Sequence, residues 1–392
     1  MNEFTYCNPV KIIFGENQRS EVIQEIKRYG NRVLVILGGE SFEKNGNYAP
    51  LMAVFQEKGL DCCEIKGNRT PSLEVVRQGI RLCREKEIDF VLGIGGGACM
   101  DIAETIAFGV KQPFDIWEYL SGAKEAGSME HLPVATIPTF PSSGSDMNGS
   151  TQITNDETRE QAGLSGVYPN FTWLNPAYIR TLSVSALTEG QITAFVQLSM
   201  AYLGLERSEI AEQIVLVLME TIIRNLRKLK KESSDETARA NLMLAGALNV
   251  CGLTFMGKNG DWSLYPLEGI AQEYCGVGYK QAISILFPYW LKQVYGGQQV
   301  FKDYFSYVFG VDCKEKSDEE VLEAGTGAIL SLCREFGFPT SFKEVTASLD
   351  SKEILREKIA AVGEQPSIYT YFTLDKIEEM MMEAINGREN RA

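Results

Sequence analysis

The chain has one histidine, His131, in 392 residues. Imidazole is among the commonest side chains that bind iron, zinc or copper in proteins. Because one imidazole supplies only one ligand, the sequence excludes a metal centre built mainly from histidines. His131 lies in a loop ahead of a predicted strand, where we expect a surface position.

Other absences narrow the class of protein. No stretch approaches the roughly 18 uninterrupted apolar residues of a membrane span, and the start of the chain lacks a basic segment followed by an apolar one. Lysine and arginine number 38 against 52 acidic residues, so the net charge is −14. Such a charge repels nucleic-acid phosphates and anionic membranes at long range. We therefore expect neither nucleic acid nor a membrane as a partner.

Nine cysteines are present, an odd number with no CxxC pair. This pattern favours a reducing compartment over a disulfide scaffold, so we expect a cytoplasmic protein. Hydrophobic residues at 44% and charged residues at 23% suit a globular protein with substantial cores. The length favours two domains over one.

The first part of the chain alternates short apolar runs with amphipathic segments. Strands are predicted at 32–37, 61–65, 90–94 and 133–137, with helices at 49–58, 73–86 and 100–109. This β-α-β order with short connections predicts a parallel sheet covered by helices. The expected α/β domain spans residues 1–182.

After Leu182 the apolar residues follow helical spacing over long segments. Helices are predicted at 185–205, 209–231, 236–256, 282–294, 318–336, 352–362 and 374–386. We therefore expect an all-helical domain at 183–392.

Small residues follow three of the predicted strands. Gly38-Gly39 comes after the first, Gly95-Gly96-Gly97 after the third, and residues 142–145 (Ser-Ser-Gly-Ser) after the fourth. Backbone N–H groups without side chains can approach a pyrophosphate, whose charge the start of the next helix stabilises. A triple glycine alone is equally explained by a tight turn that needs positive φ. Three such strand ends together predict a ligand crevice at one edge of the sheet.

The details of these motifs resemble one family. The triple glycine with Asp101 and Ala103, and Thr139 with residues 144–148, are similar to the iron-containing (group III) alcohol dehydrogenases, most closely the NADH-dependent butanol dehydrogenases. The likeness covers nearly the whole chain, including residues 8–15, 239–243, 260–262 and 285–288. It implies an N-terminal dinucleotide-binding domain, an all-helical C-terminal domain, small alcohols or aldehydes as substrates, and a homodimer. The dinucleotide positions that it implies are Gly38, Gly39, Ser41, Gly96, Gly97, Ala98, Asp101, Thr139 and Ser143.

The family holds a divalent metal in a cleft between its domains through one aspartate and three histidines. Carried over to this chain, the aspartate position is Thr193, the histidine positions are Gln197, Tyr265 and Tyr279, and a further cleft histidine is Gly269. Counting forward from Trp262 or back from Pro288 gives the same register. A hydroxyl, an amide and two phenols with ordinary pKa near 10 are weak neutral donors, so we expect no transition metal.

The nucleotide side also departs from the family. A serine after the triple glycine is Ala98, a lysine three residues after Asp101 is Glu104, and a basic position is Gln161. We expect these changes to weaken phosphate binding. The backbone N–H groups of the glycine-rich strand ends, here called the backbone cradle, remain. Glu40 would repel a 2′-phosphate, so we expect NAD(H) rather than NADP(H).

Two interpretations of the tyrosines stay open. Tyr265 and Tyr279 can serve as general acids towards a carbonyl, with Lys280 lowering a phenol pKa, or they fill the volume left by metal and imidazoles. Cys99 and Cys275 are expected to be small buried hydrophobes rather than substitute ligands.

Two functions are compatible with the sequence. One is an oxidoreductase that acts on small alcohols or aldehydes with NAD(H), as the resemblance implies. The other is a non-catalytic descendant, or pseudoenzyme, that binds a nucleotide or small ligand in the former active cleft.

Overall fold

The structure, a computed structural model, describes residues 1–346 and 349–387. It contains two compact units. The sheet unit consists of Cys7–Leu182 and Ser234–Gly252, and the helical unit consists of Met1–Tyr6, Ser183–Ser233 and the described residues from Leu253 onward.

The sheet unit is built on parallel strands. Its strands are β1 (Lys11–Phe14), β2 (Arg32–Leu37), β3 (Asp61–Ile65), β4 (Phe90–Gly95), β5 (Val134–Pro138), β6 (Ile153–Thr154), β7 (Gln161–Ala162) and β8 (Phe171–Leu174). Six of them form one sheet in the order β1-β8-β5-β4-β2-β3, with every neighbouring pair parallel. Strands β6 and β7 pair separately and antiparallel. The order places the carboxyl ends of β2, β4 and β5 side by side, as the glycine-rich strand ends predict.

Helices cover both faces of this sheet. They are α1 (Arg19–Lys27), α2 (Ser41–Lys44), α3 (Tyr48–Glu57), α4 (Leu73–Glu85), α5 (Gly97–Gly109) and α6 (Ile116–Leu120). Apolar residues of α4 and α5 pack against one face of the sheet, and those of α1 and α3 against the other. Because both faces are covered, strand β2 is apolar at consecutive positions instead of alternating.

The helical unit follows Leu182. The further α-helices of the described residues are α7 (Val184–Tyr202), α8 (Glu209–Lys231), α9 (Glu236–Leu248), α10 (Leu264–Cys275), α11 (Tyr279–Val294), α12 (Gln299–Phe309), α13 (Asp318–Glu335), α14 (Lys352–Val362) and α15 (Leu374–Asn386). Short strands β9 (Gln365–Pro366) and β10 (Tyr371–Phe372) form an antiparallel pair. This hairpin is the strand pair found among the described residues after Leu182, and it is too short to give a periodic signal.

Helix α9 belongs to the sheet unit, although the sequence places it among the long helices of the second half. Arg239 Nη1 donates to the carbonyl oxygens of Ile179 and Leu182 at 2.8 and 2.9 Å. Asn249 Nδ2, just after the helix, donates to the carbonyl of Ser142 at 3.1 Å. The expected division into 1–182 and 183–392 does not include the return of residues 234–252 to the sheet unit. Helical spacing shows that one face of a helix is buried, but it does not show which core that face packs against.

No helix in the described ranges is both long enough and apolar enough to cross a lipid bilayer.

Candidate functional site

The turn between β4 and α5 brings backbone segments close together at the carboxyl edge of the sheet. Gly95 has a φ of +157°, and a Cβ there would lie 2.6 Å from Cys99 Sγ. At Gly97, the first residue of α5, a Cβ would lie 3.0 Å from Ser143 Oγ. Gly95 is thus required by its conformation, and Gly97 permits the close approach of Ser143 to the start of the helix.

The neighbouring strand ends are joined to this turn. Gly38 N donates to the carbonyl of Ile94 at 3.0 Å, and Thr139 N donates to that of Gly95 at 2.8 Å. The structure gathers these predicted dinucleotide positions at one edge of the sheet: Gly38, Gly96, Gly97, Ala98, Thr139 and Ser143. Gly39 and Ser41 follow in the loop after β2, where Ser41 is exposed. The glycine turn and the start of α5 fit a pyrophosphate, and the assignment of these residues to NAD(H) stays a prediction.

Three carboxyl groups follow this cradle: Asp101 and Glu104 on α5, and Asp146 in the 3₁₀ turn Ser145–Met147. Glu104 is fully buried, and neither of its oxygens has a hydrogen-bond partner in the described residues. Burial, together with the charges of Asp101 and Asp146, raises the pKa of Glu104 well above its ordinary value. The family resemblance places a lysine at position 104, and the structure adds that Glu104 forms a buried acidic cluster with Asp101 and Asp146.

Asp101 accepts hydrogen bonds from two other residues of the sheet unit. Its carboxylate accepts hydrogen bonds from Ser145 Oγ at 2.7 Å and from Gln152 N at 3.2 Å. Burial of this carboxylate still raises the pKa of Asp101 to about 7, and burial raises that of Asp146 to about 7. The carboxyl group of Asp101 therefore orders the segment after β5 through its hydrogen bonds with Ser145 and Gln152.

The helical unit contains the four positions that correspond to the family's metal ligands. Thr193 and Gln197 lie one turn apart on α7, Tyr265 is on α10, and Tyr279 begins α11. Gln197 Nε2 lies 3.1 Å from Tyr265 Oη and 3.5 Å from Tyr279 Oη, and the two phenol oxygens are 3.4 Å apart. The phenol rings are stacked, with centroids 6.2 Å apart. Three of the four positions thus converge on one point.

Thr193 lies apart from that triangle. Its hydroxyl donates to the carbonyl of Glu189 at 3.0 Å and lies 3.4 Å from Ser284 Oγ on α11. Lys280 Nζ is 3.9 Å from a carboxylate oxygen of Glu189. Burial raises the pKa of Tyr265, which is the opposite direction from a phenol activated by a neighbouring lysine.

The donor set does not fit iron or zinc. The described residues contain no group of three or more histidine, cysteine or acidic side chains arranged to hold a metal ion. Burial raises the pKa of the thiols of Cys99 and Cys275 to about 12, so both are protonated and poor ligands. His131 lies in the sheet unit, half-buried, with Nδ1 2.8 Å from the carbonyl of Leu132. The positions on α7, α10 and α11 offer amide, hydroxyl and phenol groups, which bind transition metals weakly.

Sequence reasoning missed two residues near the substituted metal positions: Ser284 beside Thr193, and Glu268 near Tyr265. Ser284 was hidden in the apolar run of α11, and nothing in its spacing distinguishes it. Glu268 lies three residues after Tyr265 on α10, so helical spacing could have identified it. Its carboxylate is 1% exposed, accepts a hydrogen bond from Gln272 Nε2 at 2.9 Å, and has a pKa that burial raises to about 8.

Comparison with known proteins agrees with the fold and the motifs. The family model described as iron-containing alcohol dehydrogenase matches residues 9–176, and that of the C-terminal part of the family matches residues 189–385. The probable NADH-dependent butanol dehydrogenase 2 of Bacillus subtilis is 29% identical over 96% of this chain and 97% of its own length. NADH-dependent butanol dehydrogenase A of Clostridium acetobutylicum is 30% identical over 91% of this chain and 93% of its own.

A solved structure extends the comparison. The crystal structure of NADH-dependent butanol dehydrogenase A from Thermotoga maritima matches with a TM-score of 0.89 at 25% identity, covering 98% of this chain and 99% of that one. The glycine-rich strand ends, the parallel sheet and the helical second unit all fall within these matches. This chain belongs to the iron-containing alcohol dehydrogenase family.

Proposed function

We propose that this protein reduces small aldehydes with NADH, and that three neutral hydrogen-bond donors replace the metal of its family. The observation that carries the proposal is the triangle of Gln197 Nε2, Tyr265 Oη and Tyr279 Oη, with sides of 3.1, 3.5 and 3.4 Å. Each corner carries a proton that it can donate. A carbonyl oxygen placed against this triangle would be within reach of all three donors.

The arrangement supports the chemistry of an oxyanion hole. Negative charge develops on a carbonyl oxygen when hydride is added to its carbon, and preorganised donors stabilise that charge. The N–H···O contact from Gln197 to Tyr279 and the O–H···O contact from Tyr279 to Tyr265 are both longer than ordinary hydrogen bonds, so they are weak and easily exchanged for a ligand oxygen. Bound NADH would supply the hydride. The residues that would hold it are those of the glycine turn and the adjoining strand ends.

Protonation favours reduction over alcohol oxidation at neutral pH. Burial raises the pKa of Tyr265, so the phenol remains protonated and can give a proton to a forming alkoxide. Oxidation in the reverse direction requires the phenolate, which is scarce at that pH. A metal would have overcome this limit by lowering the pKa of the alcohol.

Space next to the triangle supports ligand entry. Gly269 is one helical turn after Tyr265, and a Cβ built there meets no atom within 4 Å. The family has a histidine at this position, so its loss leaves room beside the phenols. A small uncharged carbonyl compound suits this space, because the three donors of the triangle are neutral.

A second candidate is the non-catalytic descendant, which two observations favour. Glu104 replaces a cation of the family by a buried carboxyl, and the three donors already bond to one another. Both features would weaken catalysis without removing the backbone cradle. In this case the protein retains dinucleotide binding and has no turnover.

The test is NADH oxidation with butanal after exhaustive treatment with a chelator. We expect slow turnover that added iron or zinc does not increase, and loss of about 100-fold or more in kcat on Tyr265→Phe, typical of the removal of an oxyanion donor. Tyr307→Phe is the matched control, because Tyr307 is on α12 and 66% exposed. Metal-dependent turnover would overturn the proposal. NADH binding without any turnover would select the non-catalytic candidate.

A complementary variant restores the family's ligands: Thr193→Asp, Gln197→His, Tyr265→His and Tyr279→His together. We expect it to bind zinc stoichiometrically, measured by mass spectrometry of the native protein, where the wild type does not. Stoichiometric zinc in the wild type would contradict the metal-free site.

A further inference from the structure

Arg69 is an exposed arginine beside the dinucleotide cradle that the sequence motifs do not single out. It follows β3, and a Cβ built at Gly39 would lie 3.3 Å from Arg69 Nε and 3.9 Å from Cζ. The guanidinium therefore lies over the backbone of the loop after β2. A side chain at position 39 would force the guanidinium to move by a few tenths of an ångström.

Hydrogen bonds fix the loop that carries Arg69. Gly67 N donates to the carbonyl of Gly38 at 3.1 Å, and the backbone N and side-chain Nδ2 of Asn68 donate to that of Leu37 at 3.2 and 2.9 Å. Asn68 is buried, and its carbonyl accepts from Cys99 Sγ at 3.5 Å. The loops after β2 and β3 and the first turn of α5 are thus linked, and Arg69 lies in the second of these loops.

The charge of Arg69 is available. Among the described residues its guanidinium makes no hydrogen bond or ion pair within 4 Å. Glu40, whose carboxylate feels the charge of Arg69, is the N-cap of α2 and forms an ion pair with Lys44 at the end of that helix. The hydrogen bond with Lys44, and to a smaller extent the charge of Arg69, lower the pKa of Glu40. Glu40, Lys44 and Arg69 together carry one net positive charge, so the loop is more favourable to an anion than Glu40 alone suggests.

We propose that Arg69 binds a phosphate group of the dinucleotide. The inference rests on the dinucleotide binding of the proposed function and adds the cation that holds it. Guanidinium groups bind phosphate through paired, charge-assisted hydrogen bonds. The position compensates for the cations that the family resemblance places at Glu104 and Gln161. Two phosphates share this chemistry, the pyrophosphate and the 2′-phosphate of NADPH.

The test measures the Kd of NADH and of NADPH for the wild type, Arg69→Met and Gly39→Ala. We expect Arg69→Met to weaken binding about ten- to hundredfold, as for a lost charge-assisted pair. Gly39→Ala should weaken it less, because the added Cβ pushes the guanidinium aside. Arg81→Met is the control, since it removes the same charge from the surface of α4, and its Kd values should stay within twofold. Thermal unfolding checks that each variant is folded.

The two nucleotides identify the phosphate. An equal loss for NADH and NADPH assigns Arg69 to the pyrophosphate, and a loss confined to NADPH assigns it to the 2′-phosphate. Unchanged Kd values for both nucleotides in Arg69→Met would overturn the inference alone. A wild type that binds neither nucleotide would overturn it together with the proposed function, whereas binding without turnover leaves it standing.

Discussion

Replacement of Glu104 by glutamine should stabilise the protein at neutral pH. The carboxyl is fully buried without a hydrogen-bond partner in the described residues, and the acidic groups that face it are Asp101 and Asp146. Glutamine has nearly the same shape and no proton to lose. The variant therefore removes the titration of this side chain while keeping its volume.

The magnitude follows from proton linkage. Below about pH 4 the cluster is protonated in both the folded and the unfolded chain, so its contribution to stability is fully present. As the pH rises, the unfolded carboxyls ionise while the buried ones stay protonated, up to about 7 for Asp101 and Asp146. Each such carboxyl lowers the free energy of unfolding by about 1.4 kcal/mol per pH unit. Between pH 5 and pH 7, Glu104→Gln should gain about 3 kcal/mol relative to the wild type.

The assay is urea denaturation followed by circular dichroism at pH 5, 6 and 7. The wild type should lose stability steeply over this interval, and Glu104→Gln should lose it less steeply. Glu125→Gln, in an exposed loop, is the control and should follow the wild type. The reasoning is refuted if Glu104→Gln keeps the wild-type slope or is less stable than the wild type at pH 7.

Three further substitutions test local packing by thermal unfolding. Gly144→Ala should destabilise by at least about 2 kcal/mol, because φ is +69° and the new Cβ would lie 2.1 Å from Asn249 Oδ1; a neutral result would contradict the close contact. Gly269→Ala should be neutral or stabilise by up to about 1 kcal/mol, since the site is helical with open space, and a large loss would mean that the space is filled. Lys258→Met should cost about 3 kcal/mol, because the buried ammonium, which donates to Tyr202 O, lies 3.3 Å from a carboxylate oxygen of Glu212; unchanged stability would show that Glu212 does not need this charge.

Strand positions were predictable because the sheet is covered on both faces. A run such as residues 33–37 is apolar throughout and is followed by two glycines, and the structure places β2 at Arg32–Leu37. Parallel pairing then brings the glycine-rich ends together without further information. The resemblance to the family gave the same arrangement, and the comparisons confirm the family and the fold.

Long-range relations were less accessible. The predicted helix 236–256 ends at Leu248 in the structure. Its contacts with Ser142 and Ile179 could not be predicted, because the spacing of its apolar residues does not identify the segments it packs against. The sequence also gives no reason to single out Arg69, because one exposed arginine after a strand is common. Its proximity to Gly39 depends on hydrogen bonds between the loops after β2 and β3 and the first turn of α5.

The substituted metal positions were predictable in part. The register of the family identified Gln197, Tyr265 and Tyr279 one by one, but it gave no distances between them. Their convergence depends on the packing of α7, α10 and α11, which periodicity alone does not give. The placement of Thr193 against Ser284 was equally inaccessible.

The return of the chain to the sheet unit between Ser234 and Gly252 has a consequence for biosynthesis. A nascent chain that has emerged only to residue 182 contains every strand of the six-stranded sheet, but the carbonyls of Ser142, Ile179 and Leu182 still lack their donors. Domains generally fold as units during synthesis. The sheet unit of this protein must instead wait for some seventy more residues to leave the ribosome, so a fragment ending at residue 182 should be a substrate for chaperones rather than a folded product.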